Sequence, residues 1–164
     1  MALLPTIGVA VFATFTVNMG LEAWFSDRVQ SVIGASRSAA EAYETEQREA
    51  IIEDITQLAL ELGLFRKRQY REDFSEFRNQ LSTLQQEMQR GLQEAFVIDS
   101  QGKIKLRGFR NYAFDYDEPE KSLFDAAVKQ VQIIEDWNNN EMRALVYIDG
   151  FAGHYLYITR LVDG

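Results

Sequence analysis

The stretch that decides the fold is EMRALVYIDGFAGHYLYITRLV, residues 141–162. Residues 141–149 and 154–162 are rich in β-branched and aromatic side chains, and residues 150–153, GFAG, separate them. Two such runs around a glycine-containing turn predict a pair of antiparallel strands. Side chains alternate along a strand, so each run has two faces. In the second run Tyr155, Tyr157 and Thr159 share one face, and Leu156, Ile158 and Arg160 share the other. In the first, Arg143 and Tyr147 oppose Ala144, Val146 and Ile148. The aliphatic faces form the expected core. Arg160, near a strand end on an apolar face, is expected to send its head to water.

Working outward, Asn138, Asn139 and Asn140 form a turn behind a further strand at 131–137. Pro119 suits the first turn of a helix running to about residue 130. Earlier, AFVID at 95–99 and KIKLR at 103–107 flank Gly102, the pattern of a hairpin. Lys103, Lys105 and Arg107 oppose Ile104 and Leu106 there. An aromatic and acidic loop, GFRNYAFDYD, fills 108–117. The order β-β-α-β-β-β predicts an α+β fold: a five-stranded antiparallel sheet with long N-terminal helices packed on one face. PAS-like and Cache-type sensor modules share that order.

The helical part precedes the sheet. Phe74, Phe77, Leu81, Leu84, Met88 and Leu92 lie on one side of a helix capped by Asp73. Before it, apolar residues recur at three- and four-residue spacings from Leu21, and Gly63 is the expected C-cap. Gly34 is a candidate bend. Residues 1–21 carry no charged side chain. That is the length needed to cross about 30 Å of hydrocarbon as a helix. No positive segment precedes it, as a signal peptide would require, and Trp24 and Phe25 follow it as an aromatic belt. The expected organisation is therefore a truncated, C-terminal part of a transmembrane helix at 1–21, a long helical stalk and second helix at 22–94, and the sheet subdomain at 95–164.

Composition excludes several functions. The 164-residue chain has 25 acidic and 17 basic residues, a net charge of −8. That opposes nucleic-acid binding, which needs a basic face. No cysteine is present, so thiolate nucleophiles, thiolate metal sites and disulfides are excluded. With His154 as the single histidine, no triad or multi-histidine metal site is assembled. Neither a catalytic site, a cofactor nor a metal is expected. Asp115, Asp117, Glu118 and Glu120 read as helix capping, and His154 as a surface residue beside a turn.

Three segments together carry a family resemblance: LEAWFSDRVQSVI at 21–33, AEAYETEQREAI at 40–51 and ALVYIDGFAGHYLYITRLVD at 144–163. The chain resembles, over essentially its whole length, the N-terminal sensor region of NtrY-type nitrogen-regulation sensor histidine kinases. The resemblance implies a periplasmic sensor domain between two helices of the bacterial inner membrane. It also implies a following linker, PAS domain and dimeric kinase core, and a signal related to nitrogen regulation. Kinase activity is not carried over, because the chain has neither a helical histidine motif nor a glycine-rich ATP lid. Expected partners are a second copy through the N-terminal helices, the membrane through residues 1–21, and a small-molecule ligand. The alternatives are the sensor of a chemoreceptor or cyclic-dinucleotide synthase, or a ligand-free membrane-anchored adaptor. Cache-type pockets lie on the sheet face away from the long helices. That places the candidate ligand residues at Arg107, Arg110, Tyr112, Arg143, Tyr147, Tyr155 and Tyr157. Arginine offers a fork to a small carboxylate; cross-strand pairing alone accounts for the same residues equally simply.

Overall fold

A computed structural model describes residues 3–68, 74–88, 92–109 and 116–162, and of the side chains before residue 28 only Phe12 and Phe25. The chain divides into two compact units, residues 1–45 and residues 46–164. Helix α1 spans Leu3–Arg68 and α2 spans Phe74–Glu87. Strands β1 (Glu94–Asp99) and β2 (Ile104–Arg107) form the first hairpin. Helix α3 (Ser122–Ala127) leads to β3 (Gln132–Asp136), β4 (Glu141–Tyr147) and β5 (His154–Leu161). Residue 34 is inside α1, so Gly34 does not break the helix. Among the described residues no helix is long and apolar enough to cross a membrane. The expected membrane run at 1–21 falls, Phe12 apart, on side chains outside the described ones.

The strands form one antiparallel sheet in the order β2-β1-β5-β4-β3. The last strand in sequence is therefore the middle strand in space. It pairs with β1, Phe96 opposite Tyr157, and with β4, Leu145 opposite Tyr157. Pairing on both sides satisfies the backbone of β5, and its six consecutive residues from Tyr155 to Arg160 are buried because both faces of the sheet are covered.

One face carries the main core. Val97, Ala144, Leu156 and Ile158 pack with Ile51, Ile55, Leu58 and Leu62 of α1 and with Phe77, Leu81 and Leu84 of α2. Each such valine, leucine, isoleucine or phenylalanine side chain stabilises the fold by about 1.5–3 kcal/mol when fully buried. The opposite face is also covered, whereas the sequence pattern predicts helices on one face only. Phe124 and Ala127 of α3 pack there on Phe96, Ile98, Leu145, Tyr155 and Tyr157. Tyrosine is amphipathic, and its large ring area favours burial once a short helix is available to cover it.

Arg160 does not reach water. Its side chain is 4% exposed and pairs with Asp54 of α1 at 3.1 Å. A buried guanidinium needs a counter-charge, and no local pattern in β5 shows that α1 supplies one. Two further ion pairs join α1 to the sheet region: Arg48 with Glu135 of β3, and Lys67 with Asp149 at 2.6 Å.

Gly63 is not a C-cap, since α1 continues to Arg68. Its role is close approach: a Cβ at this position would collide with the Asp149 carbonyl oxygen. The turn after β4 can therefore sit directly on the helix, with Gly150 at φ 89° beside Lys67. Gly34, by contrast, has nothing within 4 Å of an added Cβ. Gly63→Ala is expected to destabilise residues 46–164 by about 1–3 kcal/mol, the usual cost of overpacking. Gly34→Ala should leave that transition unchanged; urea denaturation of the two variants checks the contrast.

Candidate functional site

The outer face of the sheet gathers the polar candidates around Arg143. This residue opposes Thr159 on β5 and Ile134 on β3, so it sits mid-sheet rather than at an edge. Its side chain is 11% exposed. Three carboxylates surround the guanidinium. Glu141, two residues back on the same strand face, accepts from Nη2 at 2.7 Å. Asp136 lies 3.6 Å from Nη2. Asp117 accepts from Nη1 at 2.6 Å.

Each carboxylate is positioned by a local feature of the sequence. Glu141 and Arg143 share a face because strand side chains repeat every second residue. Asp136 closes the β3–β4 turn, accepting from the side-chain amide of Asn139 at 2.8 Å. Asn140 takes φ 52°, a left-handed conformation that asparagine tolerates better than most residues. Asp117 follows Tyr116, whose ring meets Phe96 edge-on at 5.2 Å and Tyr157 at 6.0 Å. The Tyr116 hydroxyl donates to the Gly102 carbonyl in the β1–β2 turn. Residues 116 and 117 thus strap across the sheet, from the first hairpin to β4.

The electrostatics follow from this arrangement. Burial opposes the charged form of Arg143, but the carboxylates of Glu141 and Asp117 outweigh it and hold the guanidinium protonated. Burial pushes the Tyr157 hydroxyl up to about 12, with Arg143 acting the other way. Tyr116 and Tyr155 are also raised, first by burial. These phenols stay neutral near neutral pH. The arrangement offers charge recognition and hydrogen bonding. It brings no nucleophile and base together.

The remaining expected residues are spread around this point. Tyr155 and Tyr157 are 6% and 2% exposed and belong to the aromatic core beneath α3. Tyr147 is half-buried with its ring edge-on to Tyr155 at 5.5 Å. Arg107 is exposed on β2, at the far edge of the sheet from β3. Arg110 and Tyr112 lie outside the described residues, as does Asp115. Sequence reasoning missed Asp117, Asp136 and Glu141 as the partners of Arg143. Glu141 was legible from strand alternation; the other two depend on where a loop and a turn land. His154 stands beside the turn as expected, half-buried and stacked on the Phe151 ring at 3.8 Å. On the other side of the sheet, a groove of about 260 Å³ between α1 and α2 is lined by Glu53, Asp54, Glu61 and Glu87 among others, a setting hostile to anions.

Comparison with known proteins places this chain. The family described as the NtrY N-terminal region matches residues 1–164. The chain belongs to that family. It is 31% identical to the nitrogen regulation protein NtrY of Azorhizobium caulinodans over 163 residues, covering 99% of this chain and 21% of that protein. It is also 25% identical to NtrY-like sensor histidine kinases of Rickettsia felis and Rickettsia conorii, each over 99% of this chain and 27% of the relative. The chain thus spans about a fifth to a quarter of the length of these relatives. No solved structure matches it.

The Arg143 cluster has a pH signature. The Asn139 amide holds the Asp136 carboxyl below the usual aspartate range against the effect of burial, with the Asn139 backbone N–H and Arg143 assisting. A carboxyl whose folded value is depressed contributes stability above its unfolded value of about 3.9 and loses it as pH falls through the folded value. Asn139→Ala should therefore move the Asp136 titration midpoint upward, read by carboxyl NMR. An unmoved midpoint would assign the depression to another group.

Proposed function

We propose that the chain is the signal-input region of a membrane-bound sensor histidine kinase, carrying an extracytoplasmic signal related to nitrogen regulation to a kinase core elsewhere in the protein. The carrying observation is membership of the NtrY N-terminal family over the whole chain. The relatives' printed names, sensor histidine kinase and nitrogen regulation protein, support the kinase and the signal. The uncharged run at 1–21 supports anchorage in the inner membrane. The small-molecule ligand would meet the outer sheet face, where Arg143 supplies the cation. The chain itself acts by binding and transmission, and catalysis belongs to the kinase core.

Helix α1 is the transmitting element in this reading. Three ion pairs tie residues 48–67 of α1 to the sheet region, so a change in the sheet is felt by the helix. Within residues 1–45, Val29, Val32, Ile33 and Tyr43 are 38%, 58%, 61% and 38% exposed. With Ser36, Ala39 and Ala40 they form one stripe at heptad spacing, and the flanking Ala35 and Ala42 are small and uncharged. Arg37 and Glu41 pair with each other at 2.7 Å, away from that stripe. Between residues 29 and 43 a second copy in parallel would bring no like charges together across it. Isolated helices derive little stability from propensity alone, which favours such a pairing.

The chain has no cysteine, so single reporters are clean. Val32→Cys should crosslink two copies under mild oxidation, while Ser38→Cys, on the opposite side of the helix, should not. In the parent kinase, the Val32→Cys crosslink should hold autophosphorylation at one level, several-fold from that of the reduced form. Complete crosslinking with unchanged regulation would sink the signal-input proposal.

A further inference from the structure

We propose that the Nη1 edge of Arg143 is a receptor for a small carboxylate, and that Asp117 is its internal occupant, which the ligand must replace. The inference rests on the signal-input reading and adds to it a ligand class and a mode of entry.

The three carboxylates around Arg143 are not equivalent. Glu141 and Asp136 belong to the β3–β4 hairpin that carries the arginine, their side chains are 21% and 23% exposed, and both approach Nη2. They hold the guanidinium in place. Asp117 comes from outside the sheet, is 69% exposed, and takes Nη1. Solvent therefore reaches the Asp117 contact while the other edge stays fixed.

Charge dictates exchange rather than addition. One cation already faces three anions, so a fourth carboxylate would be repelled. Replacing Asp117 by a ligand carboxylate leaves the charge at Arg143 unchanged. Ion pairs with a largely exposed partner are weak, so Asp117 is the one of the three that can be displaced. Once Asp117 leaves, a buried arginine held by two fixed acids presents Nη1 as a preorganised donor to a ligand carboxylate.

Exchange also has a built-in readout. Asp117 adjoins Tyr116, which contacts Phe96 and Tyr157 and donates to Gly102 in the first hairpin. Release of Asp117 therefore frees one end of a strap whose other end is anchored on β1 and β5. Both strands also face α1 in the main core through Val97, Leu156 and Ile158.

The test uses the 164-residue chain, with succinate as the probe and sodium chloride at matched ionic strength as the control. Asp117→Asn keeps the shape and removes the competing charge. It should bind succinate at least tenfold more tightly than the parent chain by calorimetry, and succinate should shift the Arg143 side-chain Nε–H resonance. Adding Arg143→Lys, which keeps a charge but loses the fork, should abolish the gain. Equal succinate affinity in Asp117→Asn and the parent overturns the proposal, as does an Arg143 resonance that succinate leaves in place. If the double variant does not fold, the resonance in Asp117→Asn alone decides. Failure here leaves the crosslinking and autophosphorylation result untouched, so the two proposals fail separately.

Discussion

The constraint on which the rest of the structure depends is the burial of β5 on both faces. The strand pairs with β1 on one side and β4 on the other, and helices cover both its faces, so neither edge nor face is left to water. Its alternation then assigns two different cores. Leu156 and Ile158 go to the aliphatic core with α1 and α2; Tyr155 and Tyr157 go to the aromatic core with α3. The short helix α3 and the long helices are thus two answers to one requirement.

The same constraint explains the buried charge. Arg160 falls on the helix-facing side of β5, where a lone guanidinium could not persist, and Asp54 on α1 compensates it. Such a pair contributes little net stability relative to a hydrophobic replacement, but it penalises any other register between helix and strand. With the Lys67–Asp149 pair and the close approach at Gly63, it fixes how α1 lies against β5 and the turn before it. These contacts lie within residues 48–67 of α1.

On the outer face, Arg143 is to polar interactions what β5 is to apolar ones. It is a strand residue with limited access to water, and its charge demands partners from three separate segments. The α+β class, the five strands and their approximate bounds were legible from period-two alternation and turn residues. Arg143 was legible as a candidate through its face. The helix after Pro119 was legible, but its role as a cover for the outer face was not, because a six-residue helix leaves no periodic signal to show which face it buries. Nor was the end of α1, because Gly63 serves a tertiary contact that mimics the sequence mark of a helix stop.

The sequence by itself determined the pairing segments, the aliphatic and aromatic faces of β5, and the lack of groups for thiolate or histidine chemistry. Those follow from side-chain periodicity and residue type, which are local properties of the chain. Tertiary structure alone decided that the last strand lies in the middle, that Arg160 meets Asp54, and that Asp117 meets Arg143. The last two contacts join residues 106 and 26 positions apart, and their partners are chosen by desolvation. A charge taken out of water must find an opposite charge wherever the fold brings one, and sequence spacing carries no record of that choice.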